Sequence, residues 1–285
     1  MITVLQAPAY CTVQDGGWQN LRRSGMPVSG AMDRWAMHAA NRMVGNADEG
    51  AVFEWALTAG RLQFDRDLRV AICGPGVQIS HAVRMGEELV LPRPTEGRFL
   101  YMSVAGGLET PLILGSRSTY VAAGLGHVVK TGDRIAVGGA STAQPKKPEG
   151  EPPYASGVLR VVAGPQRTLF SDAEWTQFLG TSWTVSRASD RMGYRLEGDV
   201  PVRAPAADLP SEAACIGAIQ VPPDGMPIVL MADGPTVGGY PKIAVVITAD
   251  LPILVQGQPG ESLRLTATTV VVAQTELRQI RGARG

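Results

Sequence analysis

The chain has 285 residues, enough for two domains of ordinary size, each able to bury its own core. Its 26 Lys+Arg balance 26 Asp+Glu, and 45% of residues are hydrophobic. This is globular composition without the field that would attract nucleic acid or an acidic membrane surface. The apolar runs stop at strand length, far short of the roughly 20 residues of a membrane span.

Three scattered cysteines, Cys11, Cys73 and Cys215, form no CxxC pair and read as free thiols of a reducing compartment. Residues Met1 to Tyr10 lack a basic region followed by an apolar core, which predicts no signal peptide and a cytoplasmic location. The 34 glycines and 21 prolines suit many short strands joined by tight turns.

In chain order, the first strong element is a helix over 31–44. Met32, Ala36, Ala40 and Met43 fall at helical spacing, Ser29 is placed to cap the start, and Gly45-Asn46 ends it. Strand signals follow at 68–72, and a turn-plus-strand at 132–137. Next comes a proline- and charge-rich stretch over 141–156, which reads as a solvated linker between domains spanning 1–140 and 157–285. Beyond it lie a strand at 159–162 and a short helix at 171–178, with Ser171 and Glu174 spaced as a capping box. Strands are expected at 227–231, 243–246 and 269–273, and a second turn-plus-strand at 260–265. The fold class is mainly β, two closed or nearly closed barrels with a few short helices.

A phrase recurs within the chain. Val28-Ser29-Gly30-Ala31-Met32-Asp33-Arg34 returns as Val185-Ser186-Arg187-Ala188-Ser189-Asp190-Arg191, an offset of 157 (190 minus 33) that also relates Pro8 to Pro165, Asp15 to Asp172, Gly60 to Gly217 and Gln63 to Gln220. The offset suggests two copies of one unit, which can face equivalent polar residues across a shared cleft.

Familiar catalytic signatures are missing. There is no GxxxxGK[ST] loop, no complete GxGxxG after a strand and no GxSxG elbow. His38, His81 and His127 have no partner at metal-ligand spacing, so no metal site is expected. What remains are polar residues in glycine-rich segments. Asp33 and Arg34 open a helix, where free N–H groups favour anions; the alternative is a first-turn stabiliser beside a solvated arginine. Gly115-Ser116-Arg117-Ser118-Thr119 offers hydroxyl and guanidinium donors for a carboxylate or phosphate, unless those hydroxyls merely fix the loop. The richest stretch runs from Ser211-Glu212 through Gly217–Pro222 to Gly238-Gly239-Tyr240-Pro241-Lys242. Lys242 is one of four lysines in a chain that otherwise uses arginine, which suggests that a point charge is wanted there; the alternative is a surface lysine after a turn.

These segments, taken in order, resemble a known family. They are Thr12-Val13-Gln14-Asp15, Pro27 to Asp33, Ala40-Asn41 with Val44-Gly45-Asn46, Gly115 to Thr119, Asp190 to Leu196, Gly217 to Pro222, and Gly238 to Lys242. The family is that of the C subunit of bacterial 5-oxoprolinase, also called the biotin-dependent carboxyltransferase-like, allophanate hydrolase subunit 2 or KipA-type family. The resemblance implies two cyclophilin-like β-barrel domains and two partners, the 5-oxoprolinase B subunit (a KipI-type protein) and the A subunit of the same system. It also implies ATP with Mg2+, used by the complex to open the 5-oxoproline lactam to L-glutamate. The chain departs from the family pattern at Gly16-Gly17-Trp18, at Gly234-Pro235 and at Gly124–His127.

Two other roles stay open: a carboxyltransferase component moving CO2 from carboxybiotin to urea or a related amide, and a non-enzymatic antagonist of a kinase inhibitor. Candidate catalytic residues are Lys242, Arg117 and Asp33. Candidate substrate- or ATP-binding residues are Asp15, Ser29, Arg34, Ser116, Ser118, Arg191, Tyr194, Gln220, Gly238, Gly239 and Tyr240.

Overall fold

A computed structural model describes residues 1–139, 143–148, 150–203 and 209–282. The chain is mainly β and divides into two units, one made of Met1–Gln19 and Val28–Gly150, the other of Asn20–Pro27 and Glu151–Gly285. The small excursion 20–27 left no signal in the sequence. It is tied within the second unit by Arg22, whose guanidinium donates to the carbonyl of Ala214. Of the expected linker, residues 141, 142 and 149 lie outside the described residues.

The first unit contains β1 (Ile2–Gln6), β2 (Tyr10–Gln14), α1 (Arg34–Met43), β3 (Val52–Ala56), β4 (Gly60–Phe64) and β5 (Leu68–Gly74). After them come β6 (Val77–Val83), β7 (Glu88–Leu91), β8 (Phe99–Val104) and β9 (Arg134–Ile135). Two sheets form, ordered β7-β4-β1-β9 and β2-β3-β8-β5-β6. Between them lies one core, with Ile2, Val4, Leu62, Phe64 and Leu91 from the first sheet against Val13, Phe53, Trp55, Ile72 and Met102 from the second. Helix α1 packs against β5 and β8, so β8 is buried at all six positions instead of alternating.

That helix begins later than the periodicity suggests. Asp33, not Ser29, is its N-cap and accepts from the Ala36 N–H at 3.0 Å. Ser29 sits at φ 53° and donates its hydroxyl to the Thr119 carbonyl, so the backbone before Asp33 is committed to a turn.

The second unit holds β10 (Val158–Ala163), α2 (Asp172–Gly180), β11 (Trp183–Val185), β12 (Gly193–Glu197), β13 (Glu212–Ala213) and β14 (Ala218–Gln220). They are followed by β15 (Ile228–Leu230), β16 (Val237–Gly238), β17 (Lys242–Val246), α3 (Leu251–Gln256), β18 (Ser262–Ala267) and α4 (Val270–Gly282). Seven of these strands close a barrel in the order β10-β17-β14-β15-β12-β11-β18, and β13 and β16 form a separate ribbon. Closure uses a parallel pairing of β18 with β10. Leu159, Val161, Trp183, Leu196, Val229, Leu263 and Leu265 are buried, and Phe178 of α2 packs on Trp183 at 6.0 Å between ring centres.

The run 269–273, expected as a strand, opens α4 instead. Thr269 caps it, its hydroxyl accepting from the Val272 N–H and its carbonyl from the Ala273 N–H. The helix-forming residues beyond Ala273 and this cap outweigh the β preference of three consecutive valines.

The repeat offset holds for β1 and β10 and for β4 and β14, but it sets α1 against β12. Pairings differ as well, since β4 pairs with β1 whereas β14 pairs with β15 and β17.

The capping box at Ser171 and Glu174 is present in both directions. Replacing Ser171 by Ala is expected to lower the unfolding free energy by about 1 kcal/mol, read as a shift of the urea midpoint at constant slope.

Candidate functional site

In the first unit, Asp15 organises the glycine-rich loop. Its carboxylate accepts from the Gly17 N–H at 2.8 Å, the Ser116 hydroxyl at 2.6 Å, the Arg117 N–H at 2.6 Å and the Ser118 hydroxyl at 2.5 Å. The donors that the sequence offered to a phosphate therefore already hold an internal anion. Gly17 allows this turn: it lies at φ 79°, and a Cβ there would stand 2.2 Å from the Val28 carbonyl oxygen. Gln14 and Thr119 brace the base of the loop, Gln14 donating to the Thr119 carbonyl and Thr119 donating to the Val13 carbonyl.

Asp33 is fully buried at the start of α1, its N–H donating to the Tyr101 hydroxyl at 2.8 Å. Nearby Glu54, also fully buried, accepts from the Met32 N–H at 2.8 Å. Burial pushes the Tyr101 hydroxyl well above its ordinary pKa, and the Glu54 and Asp33 carboxylates add to the rise. Arg34 turns to the surface and grips both oxygens of Glu49 at 2.7 Å, while His38 Nε2 lies 3.1 Å from the same carboxylate. Burial opposes ionisation of Glu49, but the His38 hydrogen bond and the Arg34 charge outweigh it and hold its pKa at about 2.

The second unit gathers Gln220, Gly238, Gly239, Tyr240 and Lys242 at one place. A pocket of about 140 Å³ is lined by Gln166, Leu209, Pro210, Glu212, Gly238, Gly239, Tyr240 and Lys242. Lys242 begins β17 and pairs in register with Gln220 of β14, and a bulge between Ile219 and Gln220 re-aims this end of the ladder. Although Lys242 is only 3% exposed, its ammonium reaches Glu212 Oε1 at 2.8 Å. Gln166 frames it from the other side: its Oε1 accepts from the Lys242 N–H at 3.1 Å and its Nε2 donates to Glu212 Oε1 at 2.5 Å. The hydrogen bonds from Lys242 and then Gln166 hold the Glu212 carboxyl below its usual range.

The Gln220 side chain is buried with its Nε2 unpartnered among the described residues, and a Cβ added at Gly238 would stand 2.7 Å from that nitrogen. Gly238 thus packs directly against that amide, where a larger residue would collide with it. Gln166 escaped the sequence reading, its one signal being the Gly164-Pro165 turn before it.

The other two candidates of this unit lie elsewhere. Arg191 is buried in a two-point ion pair with Asp233, at 2.8 and 2.9 Å. Tyr194 is fully buried on β12 with its hydroxyl on the Val255 carbonyl at 2.9 Å, a core position. The recurring Asp-Arg phrase therefore does different work in its two places: Asp33 caps a helix, whereas Asp190 accepts from the Met192 and Gly193 N–H groups in the turn before β12.

The loop 115–119 is filled by Asp15, and the Lys242 pocket is small beside a triphosphate. Among the described residues no group of three His, Cys, Asp or Glu is placed to hold a metal ion, and no helix is long and apolar enough to cross a membrane.

The second unit is thus a closed β-barrel with a lysine-lined pocket at the start of β17. The chain matches the model of the carboxyltransferase domain, subdomain A and B, over residues 24–267, and it belongs to that family. It is 36% identical to the 5-oxoprolinase C subunit of Escherichia coli, covering 91% of this chain and 89% of that one. Against the Haemophilus influenzae counterpart it is 32% identical, covering 95% and 92%. Among solved structures, TTHA0988 superposes with TM-score 0.82 at 31% identity, covering 93% of this chain; the chain spans only 55% of that protein's length. The Kluyveromyces lactis urea carboxylase superposes with TM-score 0.88 at 26% identity, covering 99% of this chain and 28% of the enzyme.

Two stability measurements check the geometry. Arg191→Ala strands a buried carboxylate and is expected to cost about 3 kcal/mol, whereas Arg34→Ala is expected to cost less than about 1 kcal/mol, both read from urea unfolding. Because the folded pKa of Glu49 is depressed, its contribution is present above the ordinary carboxylate value of 4.5 and is lost as pH falls through about 2. The stability gap between the native protein and Glu49→Gln is expected to close across that window in an acid titration.

Proposed function

We propose that this chain is the C-type subunit of a 5-oxoprolinase and that its Lys242 pocket receives the lactam. The observation that carries this reading is the convergence of a buried ammonium, the Gln166 amide and a glycine pair on one small cavity at the barrel rim. Likeness to two C-type subunits of that enzyme, across nearly their whole lengths, supports it.

A lactam carbonyl is a poor electrophile, and its opening builds negative charge on the carbonyl oxygen. Lys242, held dry by the barrel, supplies a fixed positive charge that orients the bound ring and lies beside that oxygen. Gly238 and Gly239 let the ring approach the backbone closely, and Tyr240, about half exposed, flanks the mouth.

In this reading the chain works with B-type and A-type partner subunits in the cytoplasm, and ATP with Mg2+ is bound by those partners. The small pocket and the loop already filled by Asp15 support that division of labour. The second reading, carboxyl transfer from carboxybiotin to urea or a related amide, is favoured by the likeness to the Kluyveromyces lactis urea carboxylase. It would use the same pocket.

The test is reconstitution with the cognate subunits. ATP-dependent glutamate formation from 5-oxoproline is expected, and Lys242→Ala is expected to lower kcat/KM by about 100-fold with an unchanged circular dichroism spectrum. No glutamate from an intact complex would overturn the reading. Carboxylation of urea by a biotinylated carrier would replace it with the second one.

A further inference from the structure

Two side-chain donors, from Lys242 and Gln166, meet in the pocket, and a third, from Gln220, is buried beside it against Gly238. Lys242 Nζ and Gln166 Nε2 both point at Glu212 Oε1, at 2.8 and 2.5 Å, while the buried Gln220 Nε2 has no partner among the described residues. The two sides of the Glu212 contact are unequal. The Lys242 main chain holds Gln166 at both ends, its N–H donating to Gln166 Oε1 and its carbonyl accepting from the Gln166 N–H, and Lys242 lies in the barrel wall. Glu212 stands on a two-residue strand paired only with β16, and its side chain is 46% exposed. The donors are fixed and the acceptor is at the rim.

We propose that the Glu212 carboxylate is a resident stand-in for a substrate carboxylate, closing the Lys242 pocket until an anionic ligand takes its place. This deepens the reading of the pocket as the lactam site and rests on it.

Withdrawing Glu212 alone would leave a buried ammonium without a counter-charge, which is strongly unfavourable. A neutral amide cannot make good that loss. A small carboxylated lactam can, because its carboxylate replaces Glu212 on Lys242 and Gln166. Both pocket donors are then satisfied, and the exchange of one carboxylate for another keeps the buried charge balanced. Glu212 thereby selects anionic cyclic amides over neutral ones of the same shape. No covalent change is involved, only displacement of a side chain.

The test is calorimetric titration of the full-length chain with 5-oxoproline and with its neutral analogue 2-pyrrolidinone. Glu212→Gln and Glu212→Ala, both at an exposed position, are expected to bind 5-oxoproline about tenfold more tightly than the native chain, with no gain for 2-pyrrolidinone. Weaker binding of 5-oxoproline by both variants would make Glu212 a ligand contact and overturn the proposal. An equal gain for both compounds, or no binding of 5-oxoproline by native and variant chains alike, would overturn it too. Glutamate formation by the reconstituted complex is scored separately, so the lactam reading can survive a failure of the stand-in.

Discussion

The constraint on which the rest of the second unit depends is the burial of one ammonium. Taking an ammonium that is 3% exposed out of water is costly unless a carboxylate and fixed dipoles replace the hydration it has lost. The barrel supplies the wall that holds Lys242, the bulge between Ile219 and Gln220 turns its end of the ladder, and the ribbon of β13 and β16 brings Glu212 within reach. The glycines at 238 and 239 leave the volume in front of it open. A pocket at that rim results from the need to keep a charge dry yet approachable.

The first unit solves the opposite problem. There several buried or half-buried carboxylates each gather their own donors. Asp15 collects two hydroxyls and two main-chain N–H groups, three of these four donors lying about a hundred residues further along the chain. Asp33 and Glu54 sit against the Tyr101 hydroxyl and the first turn of α1. Such clusters fix loops and helix ends, since these carboxylates find their donors inside the fold. Donors committed in this way are not spare for a ligand. That separates the Ser116–Ser118 loop from the Lys242 pocket, beside which one amide nitrogen is still without an acceptor among the described residues.

The internal repeat shows how far similar wording can diverge in structure. At the offset of 157 residues, strand β1 corresponds to β10 and β4 to β14, yet the phrase around Asp33 starts a helix and the phrase around Asp190 starts a strand. A short Asp-Arg phrase is compatible with both, because aspartate satisfies free N–H groups equally well at a helix start and in a tight turn. The residues after the phrase decide between them. The alternating Gly193–Glu197 segment joins the barrel, whereas the Arg34–Met43 segment presents alanines and Met37 along one helical face.

The sequence by itself determined the local features. The mainly β class, the capping box at Ser171, the strands at 68–72 and 159–162, and the two turn-plus-strand closers could be read from it, because period-two patterning and cap chemistry act over a few residues. It also marked Gly238 to Lys242 as a place where close approach and a point charge coincide. Tertiary structure alone decided which polar residues face a cavity. It gave Tyr194 to the core, Arg191 to Asp233 and the serine hydroxyls to Asp15, and it brought Gln166 and Glu212 to Lys242. It likewise turned the valines after Thr269 into a helix. The reason is physical: a side chain's partner is set by which strands the barrel closure brings side by side, and that pairing depends on contacts made across the whole unit.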